Sequence, residues 1–327
     1  MADRISFHDQ ISRNKLKSVF LIAIVFLILI ALGYVIGSIM GPDYFLIIMV
    51  FAIIFSLVYI LVSYYKSDKI ALASVNAKPA SSSQYPQFHH SVEGLCLASG
   101  MPKPRLYVME NKEINAFASG RDPQHSVICM TTGALERLDK QELEGIIGHE
   151  LSHIANYDIR FMTLTAVLVG MIAIISQIFI RSLWWRSLSG GRDNKNNQAQ
   201  MILMLIGIVL AILAPIVVSL VQLAISRKRE YTADASAVKF IRSPTGLKRA
   251  LEKIDSEHPS QEQTREQRKR ISKAVAPLFI SDPFKRKVQS LFSTHPPIKK
   301  RIEILENLKR RLPSHKRYAE MSFTVDI

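Results

Sequence analysis

Gly145–Asp158 reads GIIGHELSHIANYD, a helical stretch that carries the pattern H-E-x-x-H. Just before it, Ala134–Leu138 and Leu143–Ile147 place apolar residues at three- and four-residue spacing, and Asp139 stands where the second helix would be N-capped. That helix can run unbroken from Lys140 into the apolar run that follows. Residues four apart share one helix face, so the imidazoles of His149 and His153 can bind one Zn2+ at about 2.0–2.1 Å. Glu150 follows the first histidine by one residue and reaches a water on the ion rather than the ion itself. Zinc lowers the pKa of such a water to roughly 7, and a carboxylate there takes its proton during attack on a carbonyl. The same five-residue pattern also arises by chance on a charged helix surface. A third ligand is what would distinguish the two, because catalytic zinc needs three protein ligands and an open position.

Outward from this stretch the chain segregates sharply. It has 327 residues, 48% apolar and 21% charged, which excludes a disordered or collagen-like protein. Val19–Met40, Tyr44–Tyr65, Phe161–Ile180 and Met201–Ile225 contain no charged residue, and their lengths are 22, 22, 20 and 25. About 20 apolar residues cross a bilayer as a helix, so a purely cytosolic enzyme is excluded. Cys96 and Cys129 are the only cysteines, which excludes a disulfide-stapled secreted domain. The first run follows Arg13, Lys15 and Lys17, is too long for a signal-peptide core and lacks a small-residue cleavage site, so an uncleaved anchor is expected.

Twelve basic residues flank the runs on the side holding the N-terminus, Lys66–Arg160 and Ser226–Ile327, against four on the other side. The positive-inside rule therefore places the two large polar segments in the cytoplasm. The four on the other side are Arg181, Arg186, Arg192 and Lys195, and they leave open a second hairpin that only dips into the bilayer. Trp184 and Trp185 suit an interfacial anchor. The expected organisation is an anchor over 1–65 with transmembrane helices 19–40 and 44–65, and a first half-domain over 66–160. A spanning or dipping hairpin over 161–225 (161–180 and 201–225) and a second half-domain over 226–327 complete it.

The two half-domains total 197 residues, enough for one well-buried domain. Leu106–Met109, Ile114–Ala118 and Val127–Met130 are short apolar runs bounded by turn residues, which predicts a small sheet. Ser226–Phe240 reads as helix, the polar stretch from Ser256 to Lys273 as a loop, and Pro79–Pro86 as a Ser-rich linker. Pro297–Arg311 reads as an amphipathic helix with Ile298, Ile302, Leu305 and Leu308 on one face. The fold class is mainly α with a small β-sheet (α+β), in a polytopic helical membrane protein. Net charge is +15, of which the segment from Ser226 onward supplies +12. No nucleic-acid recognition motif accompanies it; attraction to anionic lipid heads accounts for the excess more simply, and a solvated helical surface covers most of these charges. With no ionisable residue inside the four runs, a transporter has no ion path.

The third ligand is sought near the same membrane face. Glu230 follows the fourth run by five residues, and His153 precedes the third by eight. At 1.5 Å per residue both lie within roughly 8–12 Å of that face if the helices run straight. Asp234, four residues after Glu230, shares its face and can accept the N–H of a ligand histidine, which fixes tautomer and orientation. Asp158 is a weaker candidate for the same role, with capping or pairing to Arg160 as its alternative.

Together with Ser226–Asp234 (SRKREYTAD), the stretch Gly145–Asp158 resembles the HtpX-type membrane metalloproteases of the M48 peptidase group. Asn115–Gly120 (NAFASG) is similar to the strand beside that family's cleft, and Ser293–Leu305 (STHPPIKKRIEIL) to its C-terminal motif. The resemblance covers nearly the whole chain, with four motifs in order. It implies a zincin-like (gluzincin) catalytic domain split by a transmembrane hairpin, and one Zn2+ per chain held by His149, His153 and Glu230. Glu150 would be the general base and acid. Asn115, Ala116 and Phe117 would line an edge strand where an extended substrate pairs main chain to main chain, Phe117 being equally suited to the core. His295 would stabilise an oxyanion or close over the metal as a lid, with a plain helix N-terminal position before Pro296 and Pro297 as the alternative. Arg301 would hold this segment through an ion pair. Tyr157 departs from the family, which often has a small residue there.

The function so implied is a zinc endopeptidase of the bacterial cytoplasmic (inner) membrane, with its catalytic domain and both termini in the cytoplasm. It would cut misfolded or damaged membrane proteins at the cytosolic face, in protein quality control and stress response. Its partners would be protein and peptide substrates and the lipid bilayer, not nucleic acid; the oligomeric state is left open. The alternative is a proteolytically inactive zinc-binding membrane scaffold or regulator, against which Glu150 argues, since holding a metal does not require it. An intramembrane protease is disfavoured by Glu142, Glu144, Asn156 and Asp158 around the motif.

Overall fold

The computed structural model describes residues 7–40, 42–167, 227–256, 278–281 and 296–311. Two long helices come first, α1 (Phe7–Met40) and α2 (Pro42–Ser74), both long and apolar enough to cross a membrane. Pro42 begins α2, where its fixed φ and missing N–H cost nothing. The pair packs closely: a Cβ on Gly33 would land on the Ala52 side chain, and Tyr34 meets Phe45 edge to face at 5.6 Å. Outward faces carry exposed Leu27, Leu46, Ile47 and Phe51, the surface expected against lipid.

Both helices outrun the apolar stretches that forecast them. α1 begins at Phe7 rather than Val19, and α2 continues to Ser74 rather than ending at Tyr65. Hydropathy marks the part a bilayer can hold, whereas backbone hydrogen bonding continues through the polar ends. Those ends dock on the rest of the chain. Ala71, Leu72 and Val75 pack with Met109, Phe117, Val127 and Cys129 under the sheet, and Asp68 pairs with Arg105.

The sheet has four strands in the order β1-β2-β4-β3. β1 (Lys78–Pro79) is antiparallel to β2 (Arg105–Met109), β2 is parallel to β4 (Ser126–Thr131), and β3 (Ala116–Gly120) is antiparallel to β4. β3 is thus at an edge. It starts two residues later than the apolar run Ile114–Ala118 predicts. Thr131 Oγ1 accepts the Asn115 N–H at 3.0 Å and donates to the Glu113 carbonyl at 2.7 Å, replacing ladder bonds there. Gly120 closes the strand at φ 140°, where a Cβ would strike the His125 carbonyl, so the tight return into β4 requires glycine.

Helices cover one face of this sheet: α3 (Pro86–Ser99), α4 (Thr132–Arg137) and the central α5 (Lys140–Ala155). Asp139 caps α5 as its position predicts, in a reciprocal capping box with Glu142. Leu143, Ile146, Ile147, Leu151 and Ile154 of α5 are buried among α3, the sheet, α7 (Arg227–Ile241) and α8 (Thr245–Ser256). Gly145 of α5 and Gly246 of α8 let these helices touch through backbone; a Cβ on Gly246 would overlap the Gln141 carbonyl. On α9 (Ile298–Arg311) Leu305 is buried, with Ile298, Ile302 and Leu308 packed on the core.

α5 does not run on into the third apolar stretch. It stops at Ala155, Asn156 caps it, and Tyr157 turns the chain at φ 59° before a new helix, α6, over residues 158–167. Phe161 and Leu164 of α6 pack against Leu21 and Val25 of α1. The rest of the third run, the fourth run and the polar loop expected beyond Ser256 lie outside the described residues.

Candidate metal centre

Helix α5 brings His149 and His153 to one face, and α7 lays Glu230 across them. The two Nε2 atoms are 3.2 Å apart, Glu230 Oε2 is 3.7 Å from His149 Nε2, and Glu230 Oε1 is 3.6 Å from His153 Nε2. Two donors at 2.0–2.1 Å from a tetrahedral ion must lie about 3.3–3.4 Å apart, so this set fits a zinc-sized cation closely. It is the one group of three or more His, Cys, Asp or Glu side chains among the described residues that converges in this way. All three are buried. An outer carboxylate stands at each imidazole: Asp234 Oδ1 lies 2.9 Å from His149 Nδ1, which Arg301 Nη2 also approaches at 3.3 Å, and Asp158 Oδ2 is hydrogen-bonded to His153 Nδ1 at 3.1 Å. A proton fixed on Nδ1 leaves the Nε2 lone pair for a metal.

Each carboxylate is itself held by a different part of the chain. Asp234 lies four residues after Glu230 on α7 and accepts a two-pronged pair from Arg301 of α9, Nη2 to Oδ1 at 2.6 Å and Nε to Oδ2 at 2.8 Å. Burial alone would raise the Asp234 carboxyl; the Arg301 charge and its hydrogen bonds hold it below the usual range. Arg301 is fully buried, and its Nη1 stands 3.6 Å from Glu230 Oε2. Asp158 reaches back to His153 only because of the break at Tyr157. On a continuous helix a residue five positions on would sit about 140° around the axis, away from the imidazole. Asp158 does not pair with Arg160, which instead donates to the Arg121 carbonyl at 2.6 Å. Its Oδ1 accepts from Asn14 Nδ2 of α1 at 2.7 Å.

The histidines titrate in opposite directions in the metal-free site. Burial and the Arg301 charge depress His149 to about 4. Burial also works against a charged His153, but the hydrogen bond to Asp158 and the Glu230 charge outweigh it and raise that imidazole to about 9. Glu150 lies beside the ligand set and outside it. Burial pushes its carboxyl up to about 7, Glu230 adding to the rise while His153 and the Ala118 N–H of β3 oppose it. That is the range in which a carboxylate exchanges protons at neutral pH.

Asn115, Ala116 and Phe117 line the edge of the sheet, but the chain covers that edge itself. Ile280 N–H donates to the Ala116 carbonyl at 2.9 Å, Asn115 Nδ2 donates to the Ser281 carbonyl at 2.9 Å, and Phe279 forms an antiparallel bridge with Phe117. Arg301 Nη1 donates to the Ile280 carbonyl at 3.3 Å. The Phe117 ring is core, edge to face with Phe279 at 5.0 Å. His295 lies outside the described residues. Sequence reasoning missed Asn14, a lone amide among the basic residues before the first run, and the covering segment Leu278–Ser281. Neither has a motif or period to announce it.

The model of peptidase family M48 matches residues 82–309, which takes in α5, α7 and most of α9. The chain belongs to peptidase family M48. It is similar to the protease HtpX homolog of Thermoanaerobacter pseudethanolicus, 47% identical over 246 residues covering 75% of this chain and 80% of that one. It is also similar to the protease HtpX homolog of Streptococcus uberis, 37% identical over 306 residues, covering 92% of this chain and 99% of the relative. The crystal structure of S. mikatae Ste24p aligns over 90% of this chain and 66% of its own, with 20% identity and a TM-score of 0.46. This M48 peptidase is a metalloprotease, a hydrolase with protein substrates, and a membrane protein.

Proposed function

We propose that the chain is a zinc-dependent endopeptidase, with His149, His153 and Glu230 holding one Zn2+ and Glu150 acting as general base. The observation that carries this reading is the convergence of two Nε2 atoms and a carboxylate at distances of 3.2–3.7 Å, with a carboxyl poised near neutrality beside them. A bound zinc ion supplies Lewis-acid activation of water and of the scissile carbonyl. Asp234 and Asp158 keep both imidazoles in the Nδ1–H tautomer. Glu150 takes a proton from the attacking water on its carboxylate and returns it to the leaving nitrogen, which requires it to be ionised at the start. The β3 edge holds an extended chain through main-chain bonds at Asn115 and Ala116, a mode that tolerates many side chains. Leu278–Ser281 already uses the Ala116 carbonyl and the Asn115 side chain, so a substrate bonding to Ala116 competes with it.

The proposed organisation is four membrane helices with the metal centre at the cytosolic face of the bacterial inner membrane, over the domains 1–65, 66–160, 161–225 and 226–327. Misfolded or damaged membrane proteins are the proposed substrates, which suits a site close to the lipid-facing helices. Purified full-length protein loaded with zinc should cleave an unfolded protein substrate and lose that activity to a chelator. Cleavage that survives complete removal of zinc contradicts the reading.

A further inference from the structure

We propose that Asn14, on the first membrane helix, is a positioning residue for the metal ligand His153, acting through Asp158. The inference rests on the reading of His149, His153 and Glu230 as the metal-holding set. Asn14 belongs to the end of α1 that extends beyond the apolar stretch, yet it is only 6% exposed. Its Nδ2 donates to two acceptors, Asp158 Oδ1 at 2.7 Å and the Asn156 carbonyl at 3.0 Å. The second of these is at the C-cap of α5, the helix that carries both histidines. Asp158 is therefore pinned at both oxygens: Oδ2 by His153 Nδ1 and Oδ1 by the amide from α1. A carboxylate held at one oxygen can rotate; held at both, it fixes the plane of the imidazole.

Of the cations near this carboxylate, Lys17 feels its charge and Arg229 Nε stands 3.8 Å from Oδ1, in ion-pair range but beyond hydrogen-bond distance. Asn14 is the close donor. Its place is set by the packing of α1 on α6 through Leu21, Val25, Phe161 and Leu164, one to three turns further along. Lys15, the next residue, lies 4.5 Å over the ring of Tyr157, whose left-handed turn aims Asp158 at His153. The membrane helix thus supplies an outer contact of the metal site, and a shift of α1 would be felt at His153 Nε2.

The test uses the full chain in detergent, loaded with zinc, and measures the rate of zinc release to a chromophoric chelator. The cobalt-substituted protein gives a second readout through its visible spectrum. Asn14→Leu removes the donor at similar volume and should speed release on the order of tenfold, the value of one hydrogen bond to a charged group. Asn14→Ser, too short to reach Asp158, should do the same if the leucine variant folds poorly. Ser18→Ala, one turn along the same buried contact, should leave release unchanged. The deciding comparison is a double-mutant cycle. Asp158→Ala alone should speed release more than Asn14→Leu, and adding Asn14→Leu to it should change nothing further. An equal additional effect in both backgrounds, or unchanged release from both Asn14 variants, overturns the inference. A wild-type protein that retains no zinc overturns the ligand set itself, and this proposal with it.

Discussion

His149 and His153 sit one turn apart on the same helix, and the two sides of the site support them in different ways. His149 leans on the C-terminal part of the chain: Asp234 from α7, locked in a two-pronged ion pair by the fully buried Arg301 of α9. His153 leans on the membrane part: Asp158 after the Tyr157 turn, held by the neutral amide of Asn14 on α1. On the first side burial, with the full charge of Arg301 behind the carboxylate, drives the imidazole down to about 4; on the second the hydrogen bond to Asp158 and the Glu230 charge outweigh burial and the imidazole rises to about 9. Two imidazoles on one helix face therefore differ in proton affinity in opposite directions. The Arg301 charge on one side, and the Asp158 and Glu230 carboxylates on the other, set the difference.

The largest effect should come from the charged side. Arg301→Met leaves Asp234 buried without its partner, and losing one member of a buried ion pair costs about 3–5 kcal/mol. Denaturant unfolding of the metal-free protein should register a loss of that size. Little change would mean that Asp234 takes up a proton readily, and the contrast between the two sides would shrink. Next comes Asp158→Ala, which should keep the fold and weaken zinc retention by roughly 10–100-fold, the usual cost of removing the group that orients a ligand histidine. Chelator competition would measure it.

The pH dependence separates the two histidines. At neutral pH the metal-free protein holds a proton on His153, whose value is about 9, and none on His149, whose value is about 4. A metal must displace that proton, so apparent zinc affinity should climb from pH 7 to about 9 and level off above it. The sign for folding is opposite. A raised histidine stabilises the metal-free fold fully below its ordinary 6.5, and that contribution fades as pH rises through about 9. An affinity already flat at pH 7 would remove the asymmetry. The smallest effect is expected from Lys15→Met, which loses the contact with the Tyr157 ring, worth about 0.5–1 kcal/mol at an exposed site. Thermal unfolding should shift slightly while zinc release stays unchanged.

Much of the charged side could be read from sequence. His149 and His153 follow from four-residue spacing, Glu230 from its distance to an apolar run, and Asp234 from the same helical spacing as the histidines. Periodicity also anticipated α5 and α9, because each buries an apolar stripe, and α7 was read as the continuation of the fourth apolar run. The membrane side was less legible. Asp158 reaches His153 through a left-handed tyrosine that interrupts the helix, and a regular period carries no sign of such a turn. Asn14 is 144 residues from Asp158, and a hydrogen bond between two isolated polar residues leaves no pattern in either segment. The covering of β3 by Leu278–Ser281 is a backbone contact, equally silent in side-chain pattern. α3 and α8 were missed although both carry a helical stripe, Phe88, Val92, Leu95 and Cys96 on one and Leu247, Ala250, Leu251 and Ile254 on the other.

The central claim is that these groups form a zinc site whose base is Glu150. Its most direct test compares wild type with Glu150→Gln, both purified full length and reconstituted with zinc, for metal content and for cleavage of an unfolded protein, self-cleavage included. Equal zinc, with cutting by the wild type alone, is the result expected. Retained turnover in Glu150→Gln would contradict the assigned base, and loss of zinc from it would place Glu150 among the ligands.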